Sequence, residues 1–132
     1  MSFLLDTDIC SAHLKNHPRV TAKVMQHAGQ LAISVITLAE LTAWTRRAKS
    51  PPQRANDLQA MVDDLTVHGI GPGLAARFGD LRALQLDFGH PMPVHDMWLA
   101  VTALEHGLTL VTHNTKDYVN VPGLALQDWT LA

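Results

Sequence analysis

The sequence predicts an α/β domain around a mostly parallel sheet. Short apolar runs of the buried-strand type alternate with longer amphipathic stretches, the pattern of strands crossed over by helices. Four carboxylates, Asp6, Glu40, Asp96 and Asp117, each fall where a strand-like run gives way to a helix, or just inside one. In open parallel sheets ligands bind at the carboxyl ends of the strands, so the same topology that predicts the fold brings these acids to one functional edge.

Phe3 to Leu5 reads as a short buried strand, followed by a helix to about Lys15 with Thr7 or Asp8 as its N-cap. His17-Pro18 starts a second helix that runs to about Ala28, where Gly29 stops it. The second strand covers Leu31 to Val35. Thr37-Leu38-Ala39-Glu40 then opens a long amphipathic helix to about Ala48, and Pro51-Pro52 begin another that reaches about Leu65. Thr66 to Ile70 is a third strand. After Gly71-Pro72-Gly73 comes a helix with Leu74, Phe78, Leu81, Leu84 and Leu86 at three- to four-residue spacing. A loop over residues 88–93 precedes a helix from Val94 to His106, ended by Gly107 as its C′ residue. Leu108 to Thr112 is a buried strand, and Leu124 to Leu126 an edge strand.

The 132 residues, 47% hydrophobic and 17% charged, are expected to form a single globular domain over residues 1–132. Cys10 is the one cysteine, which removes both an intrachain disulfide and a thiolate zinc site. The N-terminus meets Asp6 at once and has no basic n-region, so a signal peptide is not expected, and no apolar run approaches the roughly 20 residues of a membrane span. A cytoplasmic protein is the expectation. The net charge of −2 is unevenly spread: residues 1–56 carry +4, and residues 57–132 carry −6. Arg46, Arg47 and Lys49 form a basic cluster that suits nucleic-acid phosphates, or simply complements the dipole at a helix C-terminus.

Each acid has a local explanation. Asp6 is a good helix cap; Thr37-x-x-Glu40 matches a capping box; Asp96 suits a first helical turn; Asp117 suits a polar turn. Asp8 reads as a cap or an outer supporting group turned away from Asp6. The collective pattern argues otherwise, because four acids crowded at one edge repel each other unless a cation is present. An all-oxygen donor set is what Mg²⁺ or Mn²⁺ prefers, which points to a metal-dependent phosphodiesterase, most simply an RNase. The eight histidines form no HxH or HExxH pattern; His95 and His113 are loop or surface residues close enough in sequence to line the cleft. Trp44, Trp98 and Trp129 read as core or interface residues.

Three blocks resemble those of PIN domains: Leu4-Leu5-Asp6-Thr7-Asp8-Ile9, Thr37-Leu38-Ala39-Glu40-Leu41 and His95-Asp96-Met97-Trp98-Leu99-Ala100 onward to Leu104. A fourth, from Gly107 through Thr112-His113-Asn114-Thr115-Lys116-Asp117-Tyr118 to Val121-Pro122-Gly123-Leu124, is the most specific. Their order, spacing and total length resemble a VapC-type toxin of a toxin–antitoxin pair. The resemblance implies a PIN-like three-layer α/β/α sandwich and a Mg²⁺- or Mn²⁺-dependent endoribonuclease. Asp6, Glu40, Asp96 and Asp117 would be its catalytic and metal-binding quartet, with Thr112 and Asn114 in support. It also implies a homodimer neutralised by a VapB-type antitoxin that wraps the toxin and reaches toward the acidic pocket, with promoter DNA bound only through the antitoxin. Met97-Trp98 stand where the family more often has small or aliphatic residues, which bears on local packing or on the dimer or antitoxin surface.

Hydrolysis by a metal-activated water in line with the phosphodiester would leave 5′-phosphate and 3′-hydroxyl ends. Two other readings stay open. One is a PIN-like module that works mainly within an antitoxin-dependent DNA-binding repressor complex. The other is a haloacid-dehalogenase-like phosphatase, suggested by Asp6-Thr7-Asp8, with Asp6 as nucleophile and Asp8 as general acid. For that family the chain is short, lacks a convincing lysine and terminal acidic pair, and leaves Glu40 without a role.

Overall fold

A computed structural model describes residues 1–131. Five parallel strands, β1 (Phe3–Leu5), β2 (Leu31–Ser34), β3 (Thr66–His68), β4 (Thr109–Val111) and β5 (Leu126–Gln127), form one sheet in the order β3-β2-β1-β4-β5. The central strand β1 pairs Phe3 with Leu31 on one side and with Thr109 on the other. Strand side chains alternate between faces. Phe3, Leu5, Leu31, Ile33 and Val111 meet Ile9, Cys10, Val20, Val24, Leu41 and Leu58 from α1 (Thr7–Leu14), α2 (Pro18–Gln26), α3 (Val35–Thr45) and α4 (Gln53–Asp63). Leu4, Ala32 and Leu110 meet Met97, Leu99, Ala100 and Ala103 of α6 (Val94–His106), with Phe78 and Leu81 of α5 (Pro72–Asp87) packed behind. The result is the three-layer α/β/α sandwich, and burial on both faces explains why the strands read as unbroken apolar runs. Among the described residues no helix is long and apolar enough to cross a membrane.

Several boundaries differ from expectation for identifiable reasons. Asp6, not Thr7 or Asp8, caps α1: its backbone is still extended, and its carboxylate accepts from the Ile9 amide at 2.8 Å. The third helix begins at Val35 rather than Thr37, because Ser34 leaves β2 in an extended conformation and its hydroxyl accepts from the Ile36 amide at 3.1 Å. Thr37 is thereby buried inside the helix, and no capping box with Glu40 forms. On α5 the inward stripe runs Leu74, Phe78, Leu81 and then Gln85, while Leu84 and Leu86 are exposed. Gln85 continues the helical stride, and its Oε1 accepts from the Met92 amide at 3.3 Å, which ties down the following loop. The last strand lies at Leu126–Gln127, two residues beyond where it was expected to start.

Trp98 stacks on Phe78, with ring centroids 4.1 Å apart, so the bulky residue joins α6 to α5. Gly107 ends α6 in the left-handed region at φ 63°, with open space where a Cβ would stand. Gly107→Ala therefore meets a backbone penalty without a clash. Urea unfolding should show a loss of about 1 kcal/mol with no change in far-UV circular dichroism.

Candidate active site

The sheet's carboxyl edge carries an open cleft of about 210 Å³, lined by Asp6, Thr7, Asp8, Glu40, His95, Asp96, Leu99, Thr112, Asn114 and Tyr118. That volume is below the roughly 300–1,000 Å³ of pockets for drug-sized ligands, and suits an ion with its waters and a phosphate group. Asp6 enters directly from the end of β1, Thr112 from the end of β4, Glu40 from the second turn of α3, and Asp96 from the first turn of α6. Asn114 lies just beyond β4, where its amide donates to Thr112 Oγ1 at 3.1 Å.

Glu40 is held by two groups from other elements. The Thr7 hydroxyl donates to Glu40 Oε1 at 2.7 Å, and His95 Nε2 lies 3.2 Å from the same oxygen. His95 therefore belongs to the cleft. His113 turns outward, against Asp128 at 3.1 Å and Thr130 at 2.9 Å. Asp8, expected to turn away, lines the cleft because the first turn of α1 keeps it on the open side of Asp6. Asp117 does not line the cleft. It lies exposed in a 3₁₀ turn over Thr115–Tyr118, and its charge is felt at Asp96 and Tyr118. Tyr118 is the group that reading the residues missed: its aromatic body fills the core while its hydroxyl lies near enough to Asp96 to lower that carboxyl. An aromatic directly after a candidate acid was the available signal. Arg46, Arg47 and Lys49 lie past the end of α3, outside the cleft lining.

Burial raises the Asp6 carboxyl above its ordinary range, against the lowering effect of the nearby Thr112 hydroxyl and of the Ile9 amide that bonds to it, and the charges of Asp8 and Asp96 push further upward. Asp96 is raised in the same way: burial outweighs the Tyr118 hydroxyl and His95, and Asp117 and Asp8 add to the rise. The Tyr118 phenol is pushed up strongly, first by burial and then by the neighbouring acids. No lysine or arginine lines the cleft to relieve this repulsion.

These residues fit a hard divalent cation: the donors are oxygens, and two carboxylates are crowded and desolvated without a counter-charge. Among the described residues no three His, Cys, Asp or Glu side chains are placed to hold an ion by themselves. Mg²⁺, which keeps several waters and takes substrate oxygens, suits such an incomplete set. The sign of the pH effect follows from the raised carboxyls. The folded chain holds those protons more tightly than the unfolded chain, so the contribution of Asp6 and Asp96 is most favourable below their unfolded pKa values and is lost as pH rises through the folded ones. In EDTA, Asp96→Asn should therefore melt above the wild type at neutral pH, and calorimetry should show the gap closing toward acid.

The sequence matches the PIN-domain family over residues 3–124. It is 30% identical over 131 residues to the tRNA(fMet)-specific endonuclease VapC of Shigella flexneri, covering 98% of this chain and 99% of that one. The fold superposes on DNA-bound VapBC from Salmonella typhimurium with a TM-score of 0.88, at 28% identity and 98% coverage of both chains. It also superposes on VapBC2 from Rickettsia felis bound to a fragment of promoter DNA, with a TM-score of 0.87 at 28% identity, covering 98% of this chain and 99% of that one. Sequence and fold agree over nearly the full length, and the chain belongs to the PIN-domain family, among the VapC ribonuclease toxins of VapBC toxin–antitoxin systems.

Proposed function

We propose that the chain is a Mg²⁺- or Mn²⁺-dependent endoribonuclease whose cleft hydrolyses RNA phosphodiesters, and that it acts as the toxin of a toxin–antitoxin pair. The observation that carries this reading is the convergence of Asp6, Glu40 and Asp96 on one cleft that contains no lysine or arginine. Asp6 and Asp96 would hold the cation, with Glu40 and Asp117 completing the acidic set around it. When bound, the cation supplies Lewis acidity toward the attacking water and the phosphate oxygens.

The chain's own residues do the positioning. Asp6 is fixed by its helix cap, Thr7 and His95 orient Glu40, and the nearby Tyr118 hydroxyl favours the charged form of Asp96. Thr112 and Asn114 line the same cleft as polar groups that a phosphate or a water can meet. Water attacking in line would leave 5′-phosphate and 3′-hydroxyl ends. An RNA target puts the work of the pair in the cytoplasm.

The toxin–antitoxin relatives, two of them solved on DNA, support a cognate antitoxin as partner and promoter contact through that antitoxin. A homodimer of the toxin fits the same assembly. The repressor-complex reading thus becomes a companion of the nuclease reading. Membership in the PIN family displaces the phosphatase reading, and Asp6, with one carboxylate oxygen engaged by the Ile9 amide, is better placed as a fixed ligand than as a nucleophile.

Antitoxin-free protein should cut RNA in Mg²⁺ or Mn²⁺ and stop in EDTA, with 5′-phosphate at the new ends. Asp96→Asn, which removes a charge at little steric cost, should slow cleavage on the order of a hundredfold or more while the fold persists. Cleavage by Asp96→Asn at the parent rate, or undiminished cutting in EDTA, contradicts the reading.

A further inference from the structure

We propose that a basic ridge centred on Trp44 carries the RNA strand as it leaves the acidic cleft, an inference that rests on the ribonuclease reading above. The cleft lining holds no lysine or arginine, so cations for the flanking phosphates must come from outside it. Helix α3 makes the connection. Trp44 follows Glu40 by four residues, which puts it on the same helix face about 6 Å further along the axis.

Two cations rest on the Trp44 ring. The Arg54 guanidinium carbon stands 4.4 Å from its centroid, and Lys15 Nζ stands 5.4 Å away. Both fall within the range of a cation–π contact. The turn that leaves α3 adds Arg46, Arg47 and Lys49, all exposed. Half of the chain's ten lysines and arginines therefore gather at the meeting of the ends of α1 and α3 with the start of α4. Among the described residues none of the five is within ion-pair distance of a carboxylate. Asp57, three residues beyond Arg54, is instead engaged by the Gln53 side-chain amide at 3.1 Å.

Helix electrostatics account for only part of this cluster. Arg46 and Lys15 sit at helix C-termini, where a cation is favoured, but Arg54 sits in the first turn of α4, where it opposes the dipole. Trp44 packs on the core beneath and steadies the Arg54 and Lys15 side chains above it, so the two charges are held in advance of any ligand. An unpaired group of cations around a tryptophan one helical turn beyond Glu40 of the cleft matches a polyanion whose backbone passes through both. An acidic protein segment has no such reason to follow that path.

The test uses Asp96→Asn protein in EDTA, to suppress cutting, and a mixed-sequence single-stranded RNA oligonucleotide followed by fluorescence anisotropy across a salt series. Lys15→Gln with Arg54→Gln, and separately Arg47→Gln with Lys49→Gln, should weaken binding. Each should also flatten the slope of log K against log salt by about 0.7 for every phosphate that is no longer neutralised. Melting temperature should stay unchanged, as should Mn²⁺ binding when the same substitutions are made in the wild type with Asp96 intact; the second pair is exposed and guards against a folding effect in the first. An unchanged slope in both double variants overturns the proposal, as does the absence of salt-dependent RNA binding. Loss of poly-glutamate binding with an unchanged RNA slope would make the ridge a dock for an acidic protein, and overturns it too. Failure of the ribonuclease reading would look different: ridge-dependent RNA binding by a wild-type protein that cuts nothing.

Discussion

Burial of the Asp6 carboxylate at the end of the central strand is the constraint on which the cleft depends. One of its oxygens accepts the Ile9 amide, so the residue that carries charge into the cleft is also the residue that starts α1. The backbone there is locked from the other side as well, because the Asp6 amide donates to the Val111 carbonyl of β4 at 3.1 Å. Asp6 thus has little freedom to swing away from Asp96. Burial raises both carboxyls, the Asp96 charge raises Asp6 further, and Asp117 and Asp8 raise Asp96; that electrostatic strain is relieved most directly by a cation.

The other acids are arranged around that fixed point rather than equivalent to it. Glu40 is more exposed, and its direction is set by the Thr7 hydroxyl and the His95 ring, which come from α1 and α6. Asp96 rides on α6, anchored to the sheet by Met97, Leu99 and Ala100 and to α5 by the Trp98–Phe78 stack. Asp117 is not among the residues that line the cleft, but its charge reaches Asp96 from the neighbouring 3₁₀ turn. The cleft therefore couples the first, third and sixth helices, so a change that loosens either layer of helices moves an acid.

Much of this was legible in the residues, and the limits follow from physics. The strands were readable because β1, β2 and β4 are short and buried on both faces, and α6 because Gly107 marks its end. Caps were harder: Asp6 and Ser34 each stand one to three residues before the expected cap, and which residue leaves the strand conformation last depends on pairing in the sheet. Glu40 shows the limit of local reasoning most clearly. Its spacing from Thr37 fits a capping box, yet its partners come from positions 33 residues earlier and 55 later. Asp8 and Tyr118 entered the cleft through helix geometry and tertiary packing, which spacing alone does not encode. Leu84, Leu86 and Gln85 teach the same lesson in reverse, since a polar residue with a backbone partner took the buried place that two leucines suggested.

The central claim is that the crowded acids at this sheet edge form a divalent-cation site, and calorimetric titration tests it without any assumption about the RNA. Mn²⁺ should be titrated at neutral pH into the wild type and into Asp6→Asn, in which asparagine can still cap α1. The account predicts saturable binding by the wild type that is lost or greatly weakened in the variant. Equal binding by both proteins, or none by a folded wild type, would contradict it.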